Sequence, residues 1–191
     1  MLDLKKINET LENDGVIAFV TDTVWGLGCL PTSEKAVQKI YNIKKRDNKK
    51  PLILMSNDIK HLRKYVKPLS IMANELIEKH FPGALTLVVN KSENTPDFIT
   101  SNMETVGIRV PNNKTFSQIC ENINGHVLAT TSANLSNEPP ALNYEQTVEY
   151  LGDKIDLIIE DYGEKAKGKA STVAGIFPNK ITIFRQGDVI I

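Results

Sequence analysis

Cysteine, histidine, aromatic residues and net charge are all scarce in this chain. Of 191 residues, 2 are cysteine and 3 are histidine, and Phe, Trp and Tyr together make up 6%. Cys29 and Cys120 stand far apart, with no C-x-x-C and no histidine at ligand spacing. That pattern suggests neither a zinc site nor a disulfide framework, and no metal ligands are expected. No stretch reaches the ~18 to 20 apolar residues of a membrane span. The opening MLDLKKINETLENDG carries acids and no apolar run, unlike a secretory leader. Lys plus Arg balance Asp plus Glu at 23 each. The whole-molecule field therefore cannot draw in nucleic acid or an anionic membrane, and any such attraction must be local. A cytoplasmic protein with no membrane partner is expected.

What is present is ordinary globular composition, 41% apolar and 24% charged, in a length suited to one core. No repeat, low-complexity tract or linker interrupts it, so a single domain over 1–191 is expected. Leu2, Leu4, Ile7 and Leu11 recur at helical spacing and stop at Gly15, which predicts a helix over 2–13. Further helices are predicted over 33–44, near 58–66 and 70–80, over 115–123, and in YEQTVEYLG. Strands are predicted at VIAFV, PLILM, ALTLVVN, TVGIRVP, HVLATTS, IDLIIE, STVAGI and ITIFRQG, whereas TDTVWGLGCLPTS reads as turn. Helices and strands interleave throughout, which implies an α/β fold around a largely buried mixed sheet.

GEKAKGKAS, residues 163 to 171, comes within one residue of a phosphate-binding P-loop, with Gly163, Gly168 and Lys169 at the required spacing. Ala170 stands where the motif needs a hydroxyl. A Walker loop must also open a helix, because its anion site is that helix's N-terminus. Here β-branched residues, a glycine and a proline follow, so the segment is expected to be a loop leading into a strand.

Ligands of open α/β sheets bind beyond the strand ends, so polar residues there carry information. Thr21, Asp22 and Thr23 follow the first strand, with Gly26 and Gly28 close behind; they form a capping turn or an oxygen-rich ligand site. Lys44, Lys45, Arg46, Lys49 and Lys50 crowd one connection. Three readings stay open for it: a solvated helix end, a nucleic-acid patch, or a polyphosphate clamp. Arg109 sits mid-strand among apolar neighbours and needs an anionic partner if buried. Thr130, Thr131, Ser132 and Asn134 run off the end of another strand. Together these segments suggest a pocket of cations and hydroxyls without a nucleophile.

TDTVWGLG, IYNIKKRDNKKPL, FPGALTLVV, VGIRVP, TTSANLSNEPP, STVAGI and FRQGDV, in this order, resemble the YrdC/TsaC family of threonylcarbamoyl-AMP synthases over nearly the whole chain. The resemblance implies a single-domain, twisted open mixed sheet with helices packed on it and a large basic concave cavity. It also implies synthesis of threonylcarbamoyl-AMP and pyrophosphate from L-threonine, bicarbonate and ATP, with Mg²⁺ carried by the ATP. The product would go to the tRNA threonylcarbamoyl-transferase machinery, for position 37 of tRNAs reading ANN codons, and weak tRNA binding is expected of the isolated protein. Carried over by position, Lys44, Arg46, Ser132 and Asn134 would be catalytic. Thr23, Met55, Arg109, Ser132 and Ser171 would meet threonine. Arg46, Lys50, Thr105, Asn134, Leu142 and Arg185 would meet ATP. Met55 departs from the family's usual histidine, and Trp25 from its more usual tyrosine. A carbamoyl-transfer domain of the same fold and an RNA-binding module are the alternative readings.

Overall fold

The structure, a computed structural model, describes residues 2–45, 47, 49–177 and 180–191. The chain folds around one nine-stranded mixed sheet. Its strands are β1 (Ile17–Phe19), β2 (Gly26–Cys29), β3 (Ile53–Ser56), β4 (Leu85–Asn90), β5 (Thr105–Arg109), β6 (Val127–Ser132), β7 (Leu157–Ile158), β8 (Thr172–Phe177) and β9 (Lys180–Arg185). Their spatial order is β7-β1-β2-β6-β3-β5-β4-β8-β9. The pairs β1–β7, β3–β5 and β4–β8 are parallel and the others antiparallel.

Helices α1 (Leu4–Glu12), α2 (Glu34–Lys44), α3 (Ile59–Leu62), α4 (Ile71–His80), α5 (Asp97–Thr100), α6 (Lys114–Asn122) and α7 (Tyr144–Leu151) connect the strands. Six of them begin at a short polar residue whose side chain accepts an amide proton from the first turn: Asp3, Ser33, Asp58, Ser70, Asn113 and Asn143. Such caps satisfy donors that have no intrahelical partner.

Most predicted elements are present, with three differences. The segment read as turn contains β2, whose sequence GLGC lacks the β-branched residues of a typical strand. Its glycines make room for a neighbour: a Cβ on Gly26 or Gly28 would come within 3.0 or 2.9 Å of the Phe19 ring on β1. IDLIIE is reduced to the two-residue β7, and the short α5 has no counterpart among the predicted elements.

Alternation along the strands divides the core into two layers. Val16, Ala18, Leu27, Leu54, Leu87, Ile108, Ala129 and Ala174 point to one face, which residues of α2 to α5 and α7 also help bury. Ile17, Phe19, Met55 and Leu128 point to the other, where Ile7 and Leu11 of α1 pack with Phe116, Ile119 and Cys120 of α6. Among the described residues, only two helices contribute to this second cluster. The uncovered part of that face forms the candidate site.

Candidate active site

On the second face a cavity of about 330 Å³ opens beyond α1 and α6. Strand alternation supplies its floor: Ile53 and Met55 from β3, Arg109 from β5, Thr86 from β4, Val173 from β8 and Arg185 from β9. Thr21 and Thr23 come from the β1–β2 connection, Ser132 and Asn134 from the end of β6, and Ser171 from the residue before β8.

Arg109 is only 4% exposed and is held from three sides. Nε donates to the Gly83 carbonyl at 3.0 Å, Nη1 to Thr23 Oγ1 at 2.9 Å, and Nη2 to Asp22 Oδ1. Thr23 Oγ1 lies 3.0 Å from Thr21 Oγ1, which donates to the Val24 carbonyl at 2.6 Å. Burial lowers the pKa of Arg109 while the Asp22 carboxylate opposes that shift. The guanidinium is thus fixed in place at the cavity wall, with its buried charge paired.

Across the floor, Ser171 Oγ lies 2.9 Å from Thr86 Oγ1. Arg185 donates from Nε to the Ser171 carbonyl at 3.0 Å and from Nη2 to Ser171 Oγ at 3.2 Å. Arg185 is exposed on β9, yet the desolvation it does suffer lowers its pKa too. Two arginines from different strands therefore face one cavity, each tied to a hydroxyl-bearing residue that also lines it.

Lys44 takes a different position from the one the sequence suggests. It is 1% exposed and is absent from the cavity lining. Its ammonium donates to the Ser132 carbonyl, to the Asn134 carbonyl at 2.6 Å and to Asn134 Oδ1 at 2.7 Å. Ser132 Oγ donates to the same Oδ1 at 2.6 Å, and Asn134 Nδ2 donates to the Glu138 carbonyl at 2.6 Å. Lys44 thereby holds the loop that presents Ser132 and Asn134. An ammonium is a point charge with three donors and no acceptor, suited to gathering several oxygens.

Thr23, Met55, Arg109, Ser132, Asn134, Ser171 and Arg185 meet at one cavity. Thr105, Lys50 and Leu142 lie outside its lining. Thr105 starts β5 opposite Asn90 of β4, Lys50 is exposed just before the lining residue Pro51, and Leu142 is 39% exposed. Arg46 lies outside the described residues. Met55 is 5% exposed and belongs at once to the cavity floor and to the cluster formed with α1 and α6.

Two residues of the site escaped the sequence reading in their present roles. Asp22 is the partner that a buried arginine demanded, but nothing in the sequence selected it among the acids. Thr86, the lone hydroxyl in LTLVV, was a legible polar interruption of an apolar strand. The GEKAKGK segment is the loop expected: Lys169 pairs with Asp188 at 3.0 Å, the Gly168 amide donates to the Thr23 carbonyl at 2.8 Å, and β8 follows. Both thiols are buried in the core, and burial pushes the Cys29 pKa up to about 12 and raises that of Cys120. Neither has the depressed pKa of a nucleophilic cysteine.

Fold and site define an α/β protein that places two guanidinium groups and several hydroxyls around one cavity on one face of an open mixed sheet. The Sua5/YciO/YrdC family model, described as "Telomere recombination", matches residues 9–187, and the chain belongs to this family. It is 36% identical over 151 residues to the threonylcarbamoyl-AMP synthase of Buchnera aphidicola subsp. Acyrthosiphon pisum, covering 78% of this chain and 85% of the relative. To the threonylcarbamoyl-AMP synthase of Idiomarina loihiensis it is 33% identical over 174 residues, covering 90% and 91%. The structure of P. abyssi Sua5 complexed with L-threonine superposes with a TM-score of 0.90 at 30% identity, covering 96% of this chain and 54% of that longer one.

Proposed function

We propose that this chain is a threonylcarbamoyl-AMP synthase. The observation that carries the reading is the fixed Arg109, bonded to Thr23 and Asp22, in one cavity with Ser171 and Arg185. The relatives' names and the threonine-bound neighbour supply the substrates.

Threonine's amine and bicarbonate would form N-carboxythreonine with loss of water. One carbamate oxygen then attacks the α-phosphorus of ATP. The bond from that phosphorus to the bridging oxygen breaks, and pyrophosphate leaves. The nucleophile is already anionic, so no side chain must be activated. The difficulty is bringing two polyanions together, and catalysis rests on positioning and preorganised positive charge. Arg109 would hold the threonine carboxylate with its N–H groups not given to the protein, since a guanidinium has five. Thr23, Ser132 and Ser171 would orient the polar groups of threonine, and Met55 would adjoin its side chain. Arg185 and Asn134 would meet the nucleotide, together with Lys50, Thr105, Leu142 and Arg46. Lys44 would act as a positioning residue through the Ser132–Asn134 loop. Among the described residues no group of three or more His, Cys, Asp or Glu side chains gathers as a metal site. Mg²⁺ would come as part of the nucleotide substrate. The whole chain would act as one domain in the cytoplasm, its product passing to the transferase that modifies tRNA.

Pyrophosphate release that requires both L-threonine and bicarbonate is the expected result with the purified chain and ATP. Release that ignores either one would overturn the reading.

A further inference from the structure

Beside Arg185, a β-bulge brings two consecutive residues of β9 to the cavity face. Val173 pairs with Arg185, yet the next residue, Ala174, pairs with Ile183. Phe184 is thus the extra residue, and strict alternation would have sent it to the opposite face from Arg185. Instead its ring lies over Gly175: a Cβ there would come within 2.6 Å of Phe184 Cε2 and 2.8 Å of Phe177 Cε2. Gly175 is two residues from Val173 and so shares its cavity face. Bulges beside active sites re-aim side chains in this manner.

The surroundings form a shallow trough. The register runs Ile53 to Gly107 to Val88 to Gly175 across adjacent strands, on the same face as Arg109. Ile53 leans over Gly107, where a Cβ would come within 2.6 Å of its Cγ2. Val88 remains partly exposed although β4 is an interior strand. Phe184 and Phe177 stand at the far side with ring centroids 6.5 Å apart and planes at 90°. Phe184 is 57% exposed. An apolar trough ending at an accessible ring, with a guanidinium on the adjacent residue, matches a nucleotide: a flat heterocycle on the ring and phosphates toward the cation.

We infer that Phe184 is the stacking platform for the purine base of the ATP substrate, with Ile53 and Val88 completing the base-binding trough. The inference rests on the synthase reading and adds a residue to its nucleotide site. Stacking engages the flat face that every base has, so Phe184 would contribute affinity and leave base identity to other groups.

The test is titration calorimetry of the full chain with ATP and, separately, with inorganic tripolyphosphate, which has no base. Phe184→Ala is expected to weaken ATP binding about tenfold, within the range for loss of one base–aromatic stack, and to leave tripolyphosphate binding and the threonine KM unchanged. Phe184→Trp is expected to retain ATP affinity and to show indole fluorescence quenched by ATP. Equal ATP affinity in wild type and Phe184→Ala would overturn the inference and leave the synthase reading intact. Equal weakening for ATP and tripolyphosphate would also overturn it, by showing that the change acts through Arg185. Wild-type protein that binds no ATP would remove the synthase reading and the platform together.

Discussion

The two faces of the sheet are built from the same strands by alternation, yet they do different work. On the first, residues of five helices join Leu54, Leu87, Ile108 and their neighbours in a continuous apolar layer. On the second, α1 and α6 cover one part, and the rest carries Arg109, Thr86, Ser171 and Arg185 around a cavity. Adjacent residues of a single strand show the contrast: Leu87 is fully buried, whereas Val88 is partly exposed. Stability is concentrated on the complete face. The incomplete face holds charged groups that must be paired within the protein before any ligand arrives.

The largest effect should come from breaking that pairing. Asp22→Ala leaves the Arg109 guanidinium buried without its carboxylate, and a lone buried charge costs about 3–5 kcal/mol. Chemical denaturation should show a loss of that order, with pyrophosphate release abolished. A stable, active Asp22→Ala protein would mean that Thr23 and Gly83 suffice to hold Arg109. On the complete face, Leu87→Ala should cost about 2–5 kcal/mol as a cavity mutation, with kcat per folded molecule unchanged. If it also altered the threonine KM, the two faces would not be separable.

Met55 lies on the boundary between the second cluster and the cavity, so its replacement tests both. Met55→His introduces polar ring atoms beside Phe116 and Leu128, and burying them incompletely paired should cost about 1–3 kcal/mol. The threonine KM is expected to stay level or fall, because the thioether is only a weak acceptor and the imidazole can donate. Serine used as well as threonine by the wild type, with preference for threonine restored by histidine, would mark Met55 as a specificity change and overturn the substrate assignment.

The smallest effect lies away from both faces of the site. His61 stacks near His126 with ring centroids 4.4 Å apart. Its pKa is lowered first by burial and then by the neighbouring His126. The unfolded chain takes up that proton more readily, near pH 6.5, so stability should fall slightly as pH drops through that value. Thermal melts at pH 5.5 and 7.5 should differ less in His61→Gln than in the wild type. Identical pH dependence in the two proteins would show that His61 has no part in it.

The sequence alone determined the interleaved α/β pattern, because apolar periodicity and short polar caps are local signals. Polar groups on or just beyond buried strands, costly unless used, also marked Thr23, Arg109, Ser132 and Asn134, and the family resemblance added Met55, Ser171 and Arg185. Three features depended on the tertiary structure. GLGC became a strand because its bare backbone accommodates the Phe19 ring, a contact that no propensity encodes. Asp22 became the partner of Arg109 although the two lie 87 residues apart, because β1 and β5 are brought into one sheet. Lys44, one cation of a basic run in the sequence, was drawn inward by the carbonyls of the loop after β6. Which charge is buried and which is offered to a ligand depends on the oxygen atoms the fold brings within reach, and those come from distant parts of the chain.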